Sequence, residues 1–132
     1  MTQGEDMSQT ILVVDDSPTV VKFVSVSLKA KGYRVVGACD GMDALEKMSG
    51  MAGQVDLIIT DLNMPNLDGY GLIETVRQSR KETPIIILSS EEGEEDQVRG
   101  LAAGANSYLV KPFKPAVLLS EVAKQLSTIE RS

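Results

Sequence analysis

Histidine is absent from the 132 residues, and so is tryptophan. Without histidine there is no Ser-His-Asp triad, no imidazole metal site and no phosphohistidine within the chain. The single cysteine, Cys39, cannot close an internal disulfide, and with no second thiol it cannot anchor a structural zinc site. That usage fits a reducing cytoplasm. Basic residues are outnumbered, 13 against 19 acidic, for a formal charge of -6. The resulting field repels a phosphate backbone and anionic lipid, which argues against direct nucleic-acid binding. No apolar run approaches the length that spans a bilayer, and the N-terminus MTQGEDMSQ lacks the basic stretch and apolar core of an export signal. A cytoplasmic chain with no membrane insertion is expected. Any chemistry must run on carboxylates, lysine and hydroxyls.

What is present is a regular rhythm. At 42% hydrophobic and 24% charged, the chain suits one folded domain. Residues 1–9 read as a flexible leader in which Met7 is a second candidate start, residues 10–128 as the domain and 129–132 as a tail. Five apolar runs, Ile11 to Val14, Arg34 to Ala38, Val55 to Thr60, Ile85 to Leu88 and Ser107 to Val110, alternate with five amphipathic stretches. Several runs are apolar at every position, so their strands must be covered on both faces. The first helix is expected to start at Ser17 and Pro18 and to stop by Gly32, with Val20, Val21, Val24 and Leu28 on one side. The second uses Ala44, Leu45, Met48 and Met51, and the third, from Gly69, uses Leu72, Ile73 and Val76. The fourth is expected to bury Val98, Leu101 and Ala102, and the fifth, from Pro115, Leu118, Leu119, Val122 and Leu126. Such alternation gives an α/β fold, a parallel sheet between two helix layers.

In such folds the site lies at the carboxyl ends of the strands. There the sequence places Asp15 and Asp16, then Asp61, then Ser89 and Ser90, then Lys111. Loops are polar in any case, and one Asp there decides nothing. Three Asp, a Ser and a Lys together are harder to dismiss. Carboxylates about 4 Å apart repel by about 1 kcal/mol in water and about 4 kcal/mol at an effective dielectric near 20. Convergent carboxylates therefore call for a cation, and oxygen-only ligands favour a hard ion such as Mg2+. A metal and an ammonium beside a free carboxylate form a phosphoryl-transfer arrangement, with Asp61 the candidate nucleophile because it ends the buried run VDLIIT. Asp15 and Asp16 are then the candidate metal ligands. The acidic cluster Glu91, Glu92, Glu94, Glu95 and Asp96 reads as a solvated helix start.

The segments LVVDDSPTV, DLNMPNLDGYGL, PIIILSS and GANSYLVKPF, in that order, resemble the receiver domains of two-component response regulators from Thr10 to Leu126. The resemblance implies a single (βα)5 receiver domain, doubly wound and flavodoxin-like, with strand order 2-1-3-4-5, an order for which the chemotaxis regulators are a standard example. It also implies that Asp61 takes a phosphoryl group from a phosphohistidine of a sensor histidine kinase. Mg2+ is then held by Asp16, Asp61 and the backbone carbonyl of Asn63, with Asp15 assisting, while Lys111 contacts the phosphoryl oxygens. Ser89 and Tyr108 match the switch pair, although many members have Thr where this chain has Ser89. Asn63 and Glu91 match positions that tune dephosphorylation; the pair resembles chemotaxis-type (CheY-like) members and implies a phosphoryl lifetime short of many hours. Lys111-Pro112 matches a bond that is cis in the family.

A chain ending one helix beyond Lys111 leads to the expectation that output is another protein, drawn to helix 4, strand 5 and helix 5. A flagellar switch target suits a chemotaxis-type regulator; a histidine phosphotransfer protein suits a phosphorelay shuttle. Two readings from other classes compare less well. A Mg2+-dependent aspartyl phosphatase carries D-x-D after the first strand, whereas Asp15 and Asp16 are adjacent. A flavin binder needs aromatics to sandwich the flavin and a Gly- or hydroxyl-rich phosphate loop; this chain has no Trp and few aromatics, and no such loop follows the first strand.

Overall fold

The apolar runs become strands because helices cover both their faces. The computed structural model describes residues 9–51 and 54–131. Its elements are β1 (Thr10–Val14), α1 (Pro18–Lys29), β2 (Arg34–Ala38), α2 (Gly41–Gly50), β3 (Leu57–Thr60), α3 (Gly69–Ser79), β4 (Ile85–Ser89), α4 (Glu94–Ala103), β5 (Ser107–Val110) and α5 (Pro115–Arg131). All strand pairs are parallel, in the order β2-β1-β3-β4-β5. This is the flavodoxin-like receiver order that the resemblance implied.

The period of two along each strand divides the core. Ile11, Val13, Leu57, Ile59, Ile86 and Leu88 share one face with Val24 and Leu28 of α1 and Leu118, Val122 and Leu126 of α5. Leu12, Val14, Ile58, Ile85 and Ile87 share the other with Ala44 and Met48 of α2 and Leu72, Ile73 and Val76 of α3. Central strands β1, β3 and β4 are therefore buried throughout, and edge strands β2 and β5 only in part. Side-chain caps fix three helix starts. Ser17, Asp40 and Asp68 accept from the N–H groups of Val20, Asp43 and Gly71.

Some expectations need correction. The stripe Val98, Leu101 and Ala102 is exposed, with Val98 at 59%. What α4 buries is Gly100, where an added Cβ would lie 2.5 Å from Ile87 Cδ1. The helix is rotated by its closest backbone approach to the sheet, not by its most apolar face. Strand β3 begins at Leu57 rather than Val55, because Asp56 turns its carboxylate onto the Thr10 N–H at 2.8 Å. Residues 129–131, expected in the tail, prolong α5, since no Gly or Pro follows Leu126 to stop it. The expected leader lies outside the described residues except for Gln9, whose carbonyl accepts from the Arg34 N–H at 2.9 Å.

Candidate functional site

The hydrogen-bond ladder of the sheet runs one residue past the strands and delivers the site. Asp15 N–H donates to the Ala38 carbonyl at 3.1 Å, Asp61 N–H to Val14 at 2.9 Å and Lys111 N–H to Ser89 at 2.8 Å. Each of these side chains is thus aimed by main-chain bonds to a neighbouring strand. The chain leaves β1 for β2 on one side and returns to β3 on the other, which opens the crevice at these carboxyl ends.

Carboxylate oxygens of Asp15, Asp16 and Asp61 lie within 4.8 Å of one another. Asp15 and Asp61 are buried, while Asp16 is exposed. The Lys111 ammonium stands 2.8 Å from Asp15 Oδ2 and 3.7 Å from Asp61 Oδ2. The second oxygens are held by main chain: Asp15 Oδ1 accepts from Ser17 N–H at 2.9 Å and Asp61 Oδ1 from Leu62 N–H at 2.8 Å. Burial pushes the Asp61 carboxyl above its ordinary range, and the Asp15 charge pushes the same way; Lys111 and the Leu62 N–H pull it back. One ammonium faces three carboxylates, so the site carries uncompensated negative charge. Its donors are all oxygen, a set that fits a hard divalent cation. The exposed Cys39 thiol is pushed up by its hydrogen bond to Asp43, which makes it a poor nucleophile.

A second group converges on Glu91. Its N–H donates to the fully buried Ser89 Oγ at 3.1 Å, and its carbonyl accepts from the Tyr108 hydroxyl at 2.7 Å. Its Oε2 accepts from Asn63 Nδ2 at 3.2 Å. Burial pushes the half-buried Tyr108 phenol up. The resemblance pairs Ser89 with Tyr108 and Asn63 with Glu91; here the two pairs are joined through Glu91. The Lys111-Pro112 bond is cis.

Sequence reasoning passed over three residues. Gly69 reads as a turn former, yet a Cβ there would lie 2.2 Å from the Asp61 carbonyl oxygen and 2.8 Å from Leu62 Cα. Gly69→Ala is expected to destabilise the fold by about 2–3 kcal/mol, measured by urea denaturation, because backbone and not a flexible side chain must yield. The buried Asp40 accepts from Asn66 Nδ2 at 2.7 Å, and Asn66 has φ 70°. An Asn after Pro65 is a signal for positive φ, but nothing in the sequence pairs it with Asp40.

The response regulator receiver domain model matches residues 11–123. The chain belongs to that family. Receiver domains are the signalling switches of two-component systems, working with histidine kinases and downstream targets. Chemotaxis protein CheY1 of Helicobacter pylori is 40% identical over 121 residues, 89% of this chain and 97% of that one. The alkaline phosphatase synthesis transcriptional regulatory protein PhoP of Bacillus subtilis is 39% identical over 109 residues, 83% of this chain but 45% of its own length. The chain thus spans about half the length of the curated relatives named as transcriptional regulators. Among solved structures, chemotaxis protein CheY4 of Vibrio cholerae superposes with TM-score 0.82 at 39% identity, covering 89% of this chain and 98% of that one. A CheY-like receiver from Methanospirillum hungatei gives 0.88 at 27% identity, covering 94% and 98%. No helix among the described residues is long and apolar enough to cross a membrane.

Proposed function

We propose that this receiver domain accepts a phosphoryl group on Asp61, with Mg2+ as cofactor, and that the modified form binds a protein target. The observation that carries the reading is Asp61 Oδ2 facing Lys111 at 3.7 Å inside the Asp15, Asp16 and Asp61 cluster. Since Oδ1 is engaged by the Leu62 N–H, Oδ2 is the oxygen to attack. Its new P–O bond forms as the P–N bond to the kinase imidazole breaks, and the donor nitrogen keeps that electron pair. Asp15, Asp16, Asp61 and the Asn63 backbone carbonyl would hold Mg2+, which supplies positive charge to the phosphoryl oxygens. Lys111 neutralises the same oxygens from the protein side.

Ser89 Oγ accepts from Glu91 N–H, and its hydroxyl proton can be turned to a phosphoryl oxygen. Moving Ser89 pulls on Glu91, and Glu91 on Tyr108 and Asn63. A hydrogen bond to a charged group contributes about 1.5–3 kcal/mol, enough to shift an evenly poised equilibrium by about tenfold. The surface that changes is α4, β5 and α5, where Val98 and Leu101 are exposed. A chemotaxis-type output, such as a flagellar switch protein, is supported by the Asn63 and Glu91 pair and by relatives that this chain matches over 97–98% of their length.

The test is mass spectrometry after incubation with acetyl phosphate. One phosphoryl group is expected with Mg2+ and none with EDTA, followed by decay faster than many hours once the donor is removed. Wild type that gains no mass at any Mg2+ concentration would falsify the reading.

A further inference from the structure

The loop from Leu62 to Asp68 carries Asn63 and contains the only positive-φ residue other than glycine among the described residues, Asn66. The Leu67 N–H donates to the Pro65 carbonyl at 2.8 Å across Asn66, whose φ is 70°. Together these describe a γ-turn of the rare, strained hand. Strain of this kind persists only where the surroundings over-determine it. Here three anchors do so. Asn66 Nδ2 donates to Asp40 Oδ2 at 2.7 Å, the Gly41 N–H donates to the Leu67 carbonyl at 3.1 Å, and the Gly69 N–H closes the loop on the Leu62 carbonyl at 2.9 Å.

Two of the three anchors come from the β2–α2 junction, and Asp40 is their root. It is 8% exposed, and both carboxylate oxygens are used, Oδ1 by the Asp43 N–H and Oδ2 by Asn66. Gly41 sits so close to the loop that a Cβ would lie 2.5 Å from the Leu67 carbonyl oxygen. A helix cap alone needs neither the second oxygen nor this approach. The free end of the loop is Asn63, which reaches Glu91.

We infer that Asp40 is a positioning residue: through Asn66 it holds the strained loop that presents Asn63 to the phosphoacceptor site, and so sets the Mg2+ requirement of phosphorylation. This rests on the proposed function. Two variants separate positioning from folding. Asn66→Gly keeps a residue at ease with positive φ and removes the bond to Asp40. Asp40→Asn keeps a side chain that caps α2 but faces Asn66 with a second amide. The double exchange Asp40→Asn with Asn66→Asp restores a donor opposite a carboxylate, in the reverse sense.

Two measurements are made on the full chain. The first is hydrogen exchange of the Leu67 and Gly41 amides in metal-free protein. The second is the Mg2+ concentration giving half-maximal phosphorylation by acetyl phosphate. Asn66→Gly is expected to speed both exchanges and to raise the Mg2+ requirement about five- to tenfold, the scale of the net contribution of one hydrogen bond. The maximal rate at saturating Mg2+ should stay near wild type, and the double exchange should recover the low Mg2+ requirement. If wild type responds to Mg2+ and the single variants share its requirement, or the double exchange recovers nothing, the inference is overturned while the proposed function stands. If wild type itself takes no phosphoryl group, the proposed function falls first and the role of Asp40 with it.

Discussion

Asp61→Asn is expected to gain no phosphoryl mass from acetyl phosphate and Mg2+ and yet to be more stable than wild type without Mg2+ at neutral pH. The first result follows from removing the nucleophilic oxygen, since an amide oxygen does not form an acyl phosphate. The second follows from electrostatics. Burial and the Asp15 charge raise the Asp61 pKa in the folded chain above its ordinary value. A raised folded pKa means that the folded state holds this proton more tightly than the unfolded state. The associated stability is fully present below the ordinary carboxylate pKa and is lost as pH rises through the folded pKa. At neutral pH the ionised Asp61 is therefore a net cost, and the amide removes it. The gain should be about 1–4 kcal/mol, the range of repulsion between close like charges at water and protein dielectrics. It should shrink as pH falls through the carboxylate range, where wild type regains its proton. Urea melts at neutral and acidic pH, with EDTA, measure both parts. Equal phosphorylation of the variant, or a variant less stable than wild type at neutral pH, sinks the account.

The fold was legible because its two periodicities do not compete. Runs such as Ile85 to Leu88 are apolar at every position, which only a sheet covered on both faces accepts, and the chain announces its helix starts with Ser17-Pro18 and Asp68-Gly69. Strand order was not legible from periodicity, because each apolar run satisfies the same pattern; it came from likeness to a family. Helix α4 failed for a different reason. Its apolar residues point outward and its buried position is a glycine. A pattern rule weighs hydrophobicity, while the helix is seated by how near its backbone comes to Ile87.

The site divides along the same line. Asp15, Asp61 and Lys111 could be found because each follows an apolar strand directly, and parallel strands bring their carboxyl ends together. What the sequence does not display is contact between distant loops. Glu91 stands in an acidic run and is set apart, with Asn63, only by likeness to the family; nothing local shows that its main chain also binds Ser89 and Tyr108. Asp40 looks like a helix cap, and its second oxygen is spoken for 26 residues away. Such pairings depend on which loops the topology places side by side, and they leave no local mark.

Lys111→Met separates the two tasks of the cation. Its ammonium lies 2.8 Å from the buried Asp15 and 3.7 Å from Asp61, and its own side chain is 21% exposed. Removing one partner of a buried pair costs about 3–5 kcal/mol. Partial exposure of Lys111 lets water reach the orphaned oxygens, so about 2–3 kcal/mol is expected in EDTA. Mg2+ should return much of this. A ligand that binds only the folded state adds about 2.7 kcal/mol at a hundred times its dissociation constant, and the variant offers the same three carboxylates with less competing positive charge. The chemistry should not return. An incoming phosphoryl group adds negative charge beyond what the carboxylates carry, and the rate depends on donors aimed at where that charge develops. Losing one such donor lowers rates by about 100- to 1000-fold. The expected pattern is a variant whose urea midpoint is restored by Mg2+ and whose phosphorylation rate at saturating Mg2+ is not. If both recover together, Lys111 serves only to hold the carboxylates apart from one another's charge, and the phosphoryl oxygens are neutralised by the metal alone.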